Sequence, residues 1–204
     1  MNYLAHIYLS GEDEKILVGN FIGDYVKGKK FKLFPENIQT GILLHRQIDS
    51  FTDSHPKFSE AKKLFRAEFG LYSGIIVDFF YDHFLAANWN RYSDETLRDF
   101  SKRAHAVLLS NFKHLPFRVQ GFLPFLIQNR RLESYATIAG IMESIKIMSK
   151  YSSLPDKPDF MHKVLLYHYD YLSENFFAFM ADIMDFVSVK FQINLQKPDF
   201  AEGA

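Results

Sequence analysis

Apolar residues recur at helical spacing along nearly the whole chain. Leu4, Ile7 and Tyr8 share one face of a short first segment. Ile16, Leu17, Asn20, Phe21, Asp24 and Tyr25 continue the pattern in a second, expected to end near Gly28. A third helix is predicted from Pro35, a favourable first-turn residue, towards Pro56. A fourth fits 57–68, with Gly70 as punctuation, and a fifth, over 72–88, is apolar almost all round. Ser93 is the expected N-cap of a sixth, and further helices fit 116–127, 133–150 and 159–190. The segment SSLPDKPD at 152–159 reads as the clearest loop. No alternating strand pattern, internal repeat, heptad run, G-x-G-x-x-G, P-loop or G-x-S-x-G occurs. The expectation is an all-α protein: one compact helical domain of about eight helices over residues 1–192, then a loose tail over 193–204.

Composition narrows the chemistry. Hydrophobic residues make up 48% of 204, with 22 Phe and 11 Tyr, which excludes a disordered chain. Lys plus Arg and Asp plus Glu are 24 each, so a generally basic nucleic-acid binder is not expected. The absence of Cys excludes disulfides, thiolate nucleophiles, iron–sulfur clusters and Cys-based zinc sites. MNYLAHIYLS lacks the marks of a secretory signal, and no apolar run approaches roughly 18 residues. A soluble cytoplasmic protein with no membrane partner is expected.

The polar residues of interest cluster in the first 90 positions. In GILLHRQIDSFTDSHP, Leu44, Ile48 and Phe51 form the apolar stripe of a helix. His45, Asp49 and Asp53, one turn apart in succession, line the stripe beside it. An imidazole and a carboxylate at this spacing grip a metal ion from one helix, or make a surface pair. In GIIVDFFYDHFLAANW, Asp78 and Asp82 sit one turn apart on a helix that looks buried. Like charges there repel, and burial makes them costly, so a cation must compensate: a metal ion, Arg46, or a proton on one acid. His83 points about 100° away from Asp82. In GNFIGDYVKG, Asn20 and Asp24 are again one turn apart, and Gly19 and Gly23 imply either close backbone packing or an open pocket wall. His6 lies among apolar neighbours, as a core residue, a ligand or an acid–base group. Lys27, Lys29, Lys30 and Lys32 follow directly on Asp24 and read as a solvated face or as a docking surface for an acidic partner or phosphate. His and Asp without thiolate suit Mn²⁺, Mg²⁺ or Fe²⁺. An ion held this way activates water near neutral pH and neutralises charge on a phosphoryl group, so phosphoester hydrolysis is the class served best.

Four segments in order, MNYLAH, GNFIGDYVKG, GILLHRQIDSFTDSHP and DFFYDHFLAANW, resemble the acyl-carrier-protein phosphodiesterases. HYDYL at 168–172 and the aromatic helix after it resemble that family's C-terminal part. The resemblance implies an all-α fold of the HD-type metal-dependent phosphohydrolases, acting in the metabolism of the fatty-acid carrier. It implies removal of 4′-phosphopantetheine from holo-acyl carrier protein with manganese as the metal. It also implies a site: Asp24, His45, Asp82 and His83 as metal ligands, with His6, Arg46 and Asp49 in catalysis. His6 would protonate the leaving serine oxygen, and Arg46 would balance Asp49 or contact phosphate. Asp53 and Asp78 are motif positions with no assigned role. The chain departs from the superfamily pattern in having no His-Asp dipeptide, only the reversed Asp82-His83. The lysines at 27–32 would dock the acidic carrier. Two rivals stand beside this reading: a nucleotide or cyclic-nucleotide phosphohydrolase on the same scaffold, and a helical binding module without catalysis.

Overall fold

Helices dominate for the reason the spacing gives, apolar stripes that need burial. The computed structural model describes residues 1–196. Among these there are eleven α-helices joined by short turns and 3₁₀ segments, and no strand, so the protein is all-α. In chain order they are α1 Tyr3–Tyr8, α2 Glu14–Ile22, α3 Glu36–Ser54, α4 Pro56–Phe69, α5 Ser73–Ala87, α6 Leu97–Ser110, α7 Phe117–Gln128, α8 Arg131–Ser134, α9 Ile138–Tyr151, α10 Pro158–Tyr167 and α11 Tyr169–Phe191.

The first five helices start within a few residues of where the pattern puts them. Later boundaries differ, each for a local reason. Thr96, not Ser93, caps α6: its hydroxyl accepts from the Asp99 N–H at 3.1 Å. Ser93 caps a turn instead, accepting from the Glu95 N–H. The helix expected over 133–150 is two, because Thr137 leaves the helical region and caps α9 through the Gly140 N–H at 3.0 Å. The helix expected over 159–190 is also two, broken at His168, whose backbone (φ −113°, ψ 22°) is not helical. These two splits turn the nine predicted segments into eleven helices. The loose tail expected from 193 begins packed: Ile193 and Leu195 are buried, and the Tyr8 hydroxyl donates to the Gln196 carbonyl at 3.1 Å. The rest of that segment, 197–204, lies outside the described residues.

Two packing features position the site. First, α2 and α3 meet backbone to backbone. A Cβ added at Gly19 would lie 2.2 Å from the Ile38 carbonyl oxygen and 2.8 Å from the Gly41 Cα. One added at Gly41 would meet the Ile16 carbonyl oxygen at 2.2 Å. The glycines therefore serve close packing, not an open wall. Second, α5 runs through the centre. Tyr81 and Phe84 pack against Phe176 of α11 with ring centroids 5.6 and 5.9 Å away, while Phe79 faces α9's side of the molecule. One core of buried apolar residues extends from Met1 to Leu195.

Candidate metal centre

Three elements converge at the open end of the α2–α3 pair: α1 brings His6, α3 brings His45 and Asp49, and the 3₁₀ turn Gly23–Tyr25 brings Asp24. The His6 and His45 rings stack with centroids 4.1 Å apart. Asp49 reaches both, 3.3 Å from His6 Nε2 and 3.1 Å from His45 Nε2. Asp24 stands 3.5 Å from His45 Nε2 and is exposed. One nitrogen of each ring and one oxygen of Asp49 lie within 4.8 Å of one another.

Asn20, fully buried in α2, sets both rings. Its Nδ2 donates to the His6 carbonyl at 2.7 Å and to Ser10 Oγ at 3.0 Å. Its Oδ1 is thereby the acceptor for His6 Nδ1 at 2.8 Å, and its main-chain carbonyl accepts from His45 Nδ1, also at 2.8 Å. Both δ-nitrogens carry protons, so both ε-nitrogens turn lone pairs towards Asp49 whenever the rings are neutral. His6 Nε2 is also 3.2 Å from the Met1 carbonyl, an oxygen that offers it no proton. Lone pairs facing oxygens repel unless a cation sits among them. The buried His45 Nε2 has no hydrogen-bond partner of acceptable geometry. Gly23 makes room for this ring: a Cβ there would be 2.2 Å from His45 Cγ.

Charge follows geometry. Burial lowers His45, but Asp24 and Asp49 outweigh it and raise its pKa to about 9. Burial and the neighbouring His45 push His6 down to about 4, against Asp49. Burial would lift Asp49, yet the two histidines against it hold its carboxyl well below the usual range. The His45 ring beside it also lowers Asp24. Without metal, a proton on His45 is the cation of the site. Two imidazoles and a carboxylate, their other ring nitrogens fixed by hydrogen bonds, are a donor set that fits a divalent ion.

Other expected site residues lie elsewhere. Asp82 is buried against the start of α1 and accepts from the Leu4 and Ala5 N–H groups at 2.8 and 3.1 Å. Burial raises it to about 7 against those two bonds. It anchors the helix that carries His6 and does not share the ligand cluster. His83 faces away: Nδ1 contacts the Tyr135 carbonyl at 2.8 Å and Nε2 the Tyr169 hydroxyl at 3.0 Å, tying α5 to the C-terminal half. Arg46 reaches neither Asp49 nor the cluster. It donates to the Val26 and Gly28 carbonyls, both at 2.8 Å, and its guanidinium lies 5.2 Å from the Phe31 ring. Asp78 is half-buried and paired with the Met1 ammonium at 2.7 Å. Asp53 is exposed at the rim of a cavity of about 360 Å³ that it lines with Asp24, Asp49, Asp78 and Thr52. The four lysines at 27–32 are exposed on or beside the 3₁₀ segment Gly28–Leu33. The site thus gains His6 as a cluster member and Asn20 as its orienting residue. Asn20's spacing to Asp24 was visible in the sequence, but its bonds to two histidines were not.

The class defined here is an all-α protein whose N-terminal helices build a His–His–Asp centre able to hold a metal ion. A family model described as "Acyl carrier protein phosphodiesterase" matches residues 1–183. Relatives named acyl carrier protein phosphodiesterase include one from Yersinia pestis, 35% identical over 73% of this chain and 78% of its own. Those from Yersinia enterocolitica and Enterobacter sp. are each 32% identical over 90% of this chain and 96% of their own. The chain belongs to the acyl carrier protein phosphodiesterase family. No solved structure matches it. No helix among the described residues is long and apolar enough to cross a membrane.

Proposed function

We propose that this protein is a metal-dependent phosphodiester hydrolase that removes 4′-phosphopantetheine from holo-acyl carrier protein. The observation that carries the reading is the convergence of His6 Nε2, His45 Nε2 and an Asp49 oxygen within 4.8 Å of one another beside an open cavity, in a chain of this family. His6, His45 and Asp49 hold the ion, with Asp24 at the exposed side; oxygen and imidazole donors favour Mn²⁺, with Mg²⁺ and Fe²⁺ as alternatives. A bound divalent ion supplies charge neutralisation at the phosphoryl group and a nucleophile near neutral pH. Asn20 keeps both rings oriented through the reaction. His6, neutral at neutral pH and hydrogen-bonded at Nδ1, serves as a ligand and not as the acid for the leaving serine oxygen.

The lysines at 27, 29, 30 and 32 dock the acidic carrier. Arg46 supports them by pinning the backbone of their segment at Val26 and Gly28. Lys29→Glu with Lys30→Glu should raise KM for the carrier tenfold or more at low salt, and the difference should shrink as salt screens it. An unchanged KM would remove the lysines from docking.

Intact mass of holo-acyl carrier protein, incubated with this protein and Mn²⁺, tests the function. Loss of the phosphopantetheine mass only with metal is expected. No loss with metal bound would favour the nucleotide phosphohydrolase, and no loss with no metal affinity the binding module.

A further inference from the structure

A second cavity of about 610 Å³ adjoins the one at the metal centre, and Phe79 and Met148 line both. Its walls come from α7 and α9: Phe122, Phe125, Ile147 and Met148 are its apolar sides. Tyr3 and Tyr25 line it too, their hydroxyls 2.9 Å apart, and Tyr25 directly follows Asp24. Polar groups are few. Ser144 and Arg131 are joined to each other, with Arg131 also donating to the Gly140 carbonyl at 3.1 Å, and Lys150 lies near exposed Tyr151. Nothing on α7 closes the cavity at Gly121, where an added Cβ would meet no atom within 4 Å.

We propose that this cavity binds the pantetheine arm of the substrate, so that α7 and α9 read the group leaving with the phosphate. The assignment rests on the function proposed above. Three observations select this occupant. The cavity shares the walls Phe79 and Met148 with the one at the metal centre, so a chain attached to phosphorus there lies directly beside it. Its lining is apolar with sparse donors and acceptors, which suits a flexible chain bearing a dimethyl carbon, two amides and a thiol, and not a second phosphate. Its volume falls within the roughly 300–1,000 Å³ typical of ligand pockets. Phe122, Ile147 and Met148 are then specificity residues, and the scissile phosphate sits where the two cavities meet.

Gly121→Trp tests the assignment, because Gly121 is exposed, its Cβ space is free and a helix tolerates the larger residue. Binding of 4′-phosphopantetheine and of inorganic phosphate to the Mn²⁺-loaded protein is measured by calorimetry, alongside kcat/KM for holo-carrier. The native protein should bind 4′-phosphopantetheine at least tenfold more tightly than phosphate. Gly121→Trp should erase that advantage and lower kcat/KM at least tenfold, while Gly121→Ala, which adds only the Cβ, keeps it. Equal 4′-phosphopantetheine affinity in the native protein and Gly121→Trp, with native circular dichroism, would overturn the assignment. A Gly121-dependent advantage for AMP in place of 4′-phosphopantetheine would overturn it in favour of a nucleobase. Failure of the proposed function shows separately, as no mass loss from holo-carrier by the native protein, whereas failure of the arm assignment leaves that loss intact.

Discussion

Asn20 does at the residue scale what the ligands cannot do alone. One amide and one main-chain carbonyl fix the protonated nitrogen of two stacked imidazoles. Asn20→Ala should weaken Mn²⁺ binding about 10–100-fold, the usual cost of removing an outer partner, while the helical content stays native. Mn²⁺ affinity equal to the native protein's would show that ring stacking alone orients them. Asp82 makes the opposite case. The sequence marked it as a buried acid in need of a cation, and the structure satisfies it with two main-chain N–H groups. Asp82→Ala should cost about 1–3 kcal/mol of stability in the metal-free protein, because two buried donors lose their acceptor. Urea unfolding reads this, and an unchanged midpoint would uncouple α1 from that carboxylate. His83 shows why a dipeptide misleads: neighbours on a helix diverge by about 100°, so one anchors the first helix and the other the C-terminal half.

At the scale of elements, the helical stripes of α3 and α4 were legible because each buries one face and ends beside a Pro or Gly. The later breaks were not. His168 leaves the helix with neither residue type at the break, and tertiary packing decides it. Of the close α2–α3 contact, Gly19 was visible as an anomaly inside a helix, but Gly41 becomes meaningful only once the two backbones are seen to touch. Gly41→Ala should cost at least about 1–3 kcal/mol, the usual range for overpacking, since the clash is with main chain that cannot rotate away. It should also weaken Mn²⁺ binding, because His45 and Asp49 ride on the displaced helix. A thermal midpoint within a degree of native would mean that the helices separate freely. The histidine–aspartate spacing on α3 was fully legible; the entry of His6 from α1 was not, because pairing across helices leaves no periodic trace.

For the whole molecule, the two stacked histidines shape stability in opposite directions. His45 has its folded pKa raised to about 9, so its contribution is full below pH 6.5 and is lost as pH rises towards 9. His6 has its folded pKa lowered to about 4, so folding is penalised progressively as pH falls from 6.5 towards 4. Metal-free protein should therefore be most stable near pH 6.5, declining on either side by up to roughly 3 kcal/mol per histidine. Denaturant titrations across pH 4–9 check this, and loss of the alkaline decline in His45→Gln would assign that limb. A monotonic profile in the native protein would show that other groups dominate.

The order in which these parts lie along the chain bears on how the protein is made. His6, Asp24, His45 and Asp49 leave the ribosome first, and Asp82 follows on α5 to hold α1 in place. The walls contributed by α7 and α9 emerge only afterwards. The ligand cluster is thus complete in a nascent chain while the apolar cavity beside it is still unbuilt. On the proposed reading, the residues for the ion and for docking the carrier come early in synthesis, and the walls that read the pantetheine arm come late. A chain cut short between them would keep the candidate ion ligands and the lysines but lack the wall proposed to hold the arm.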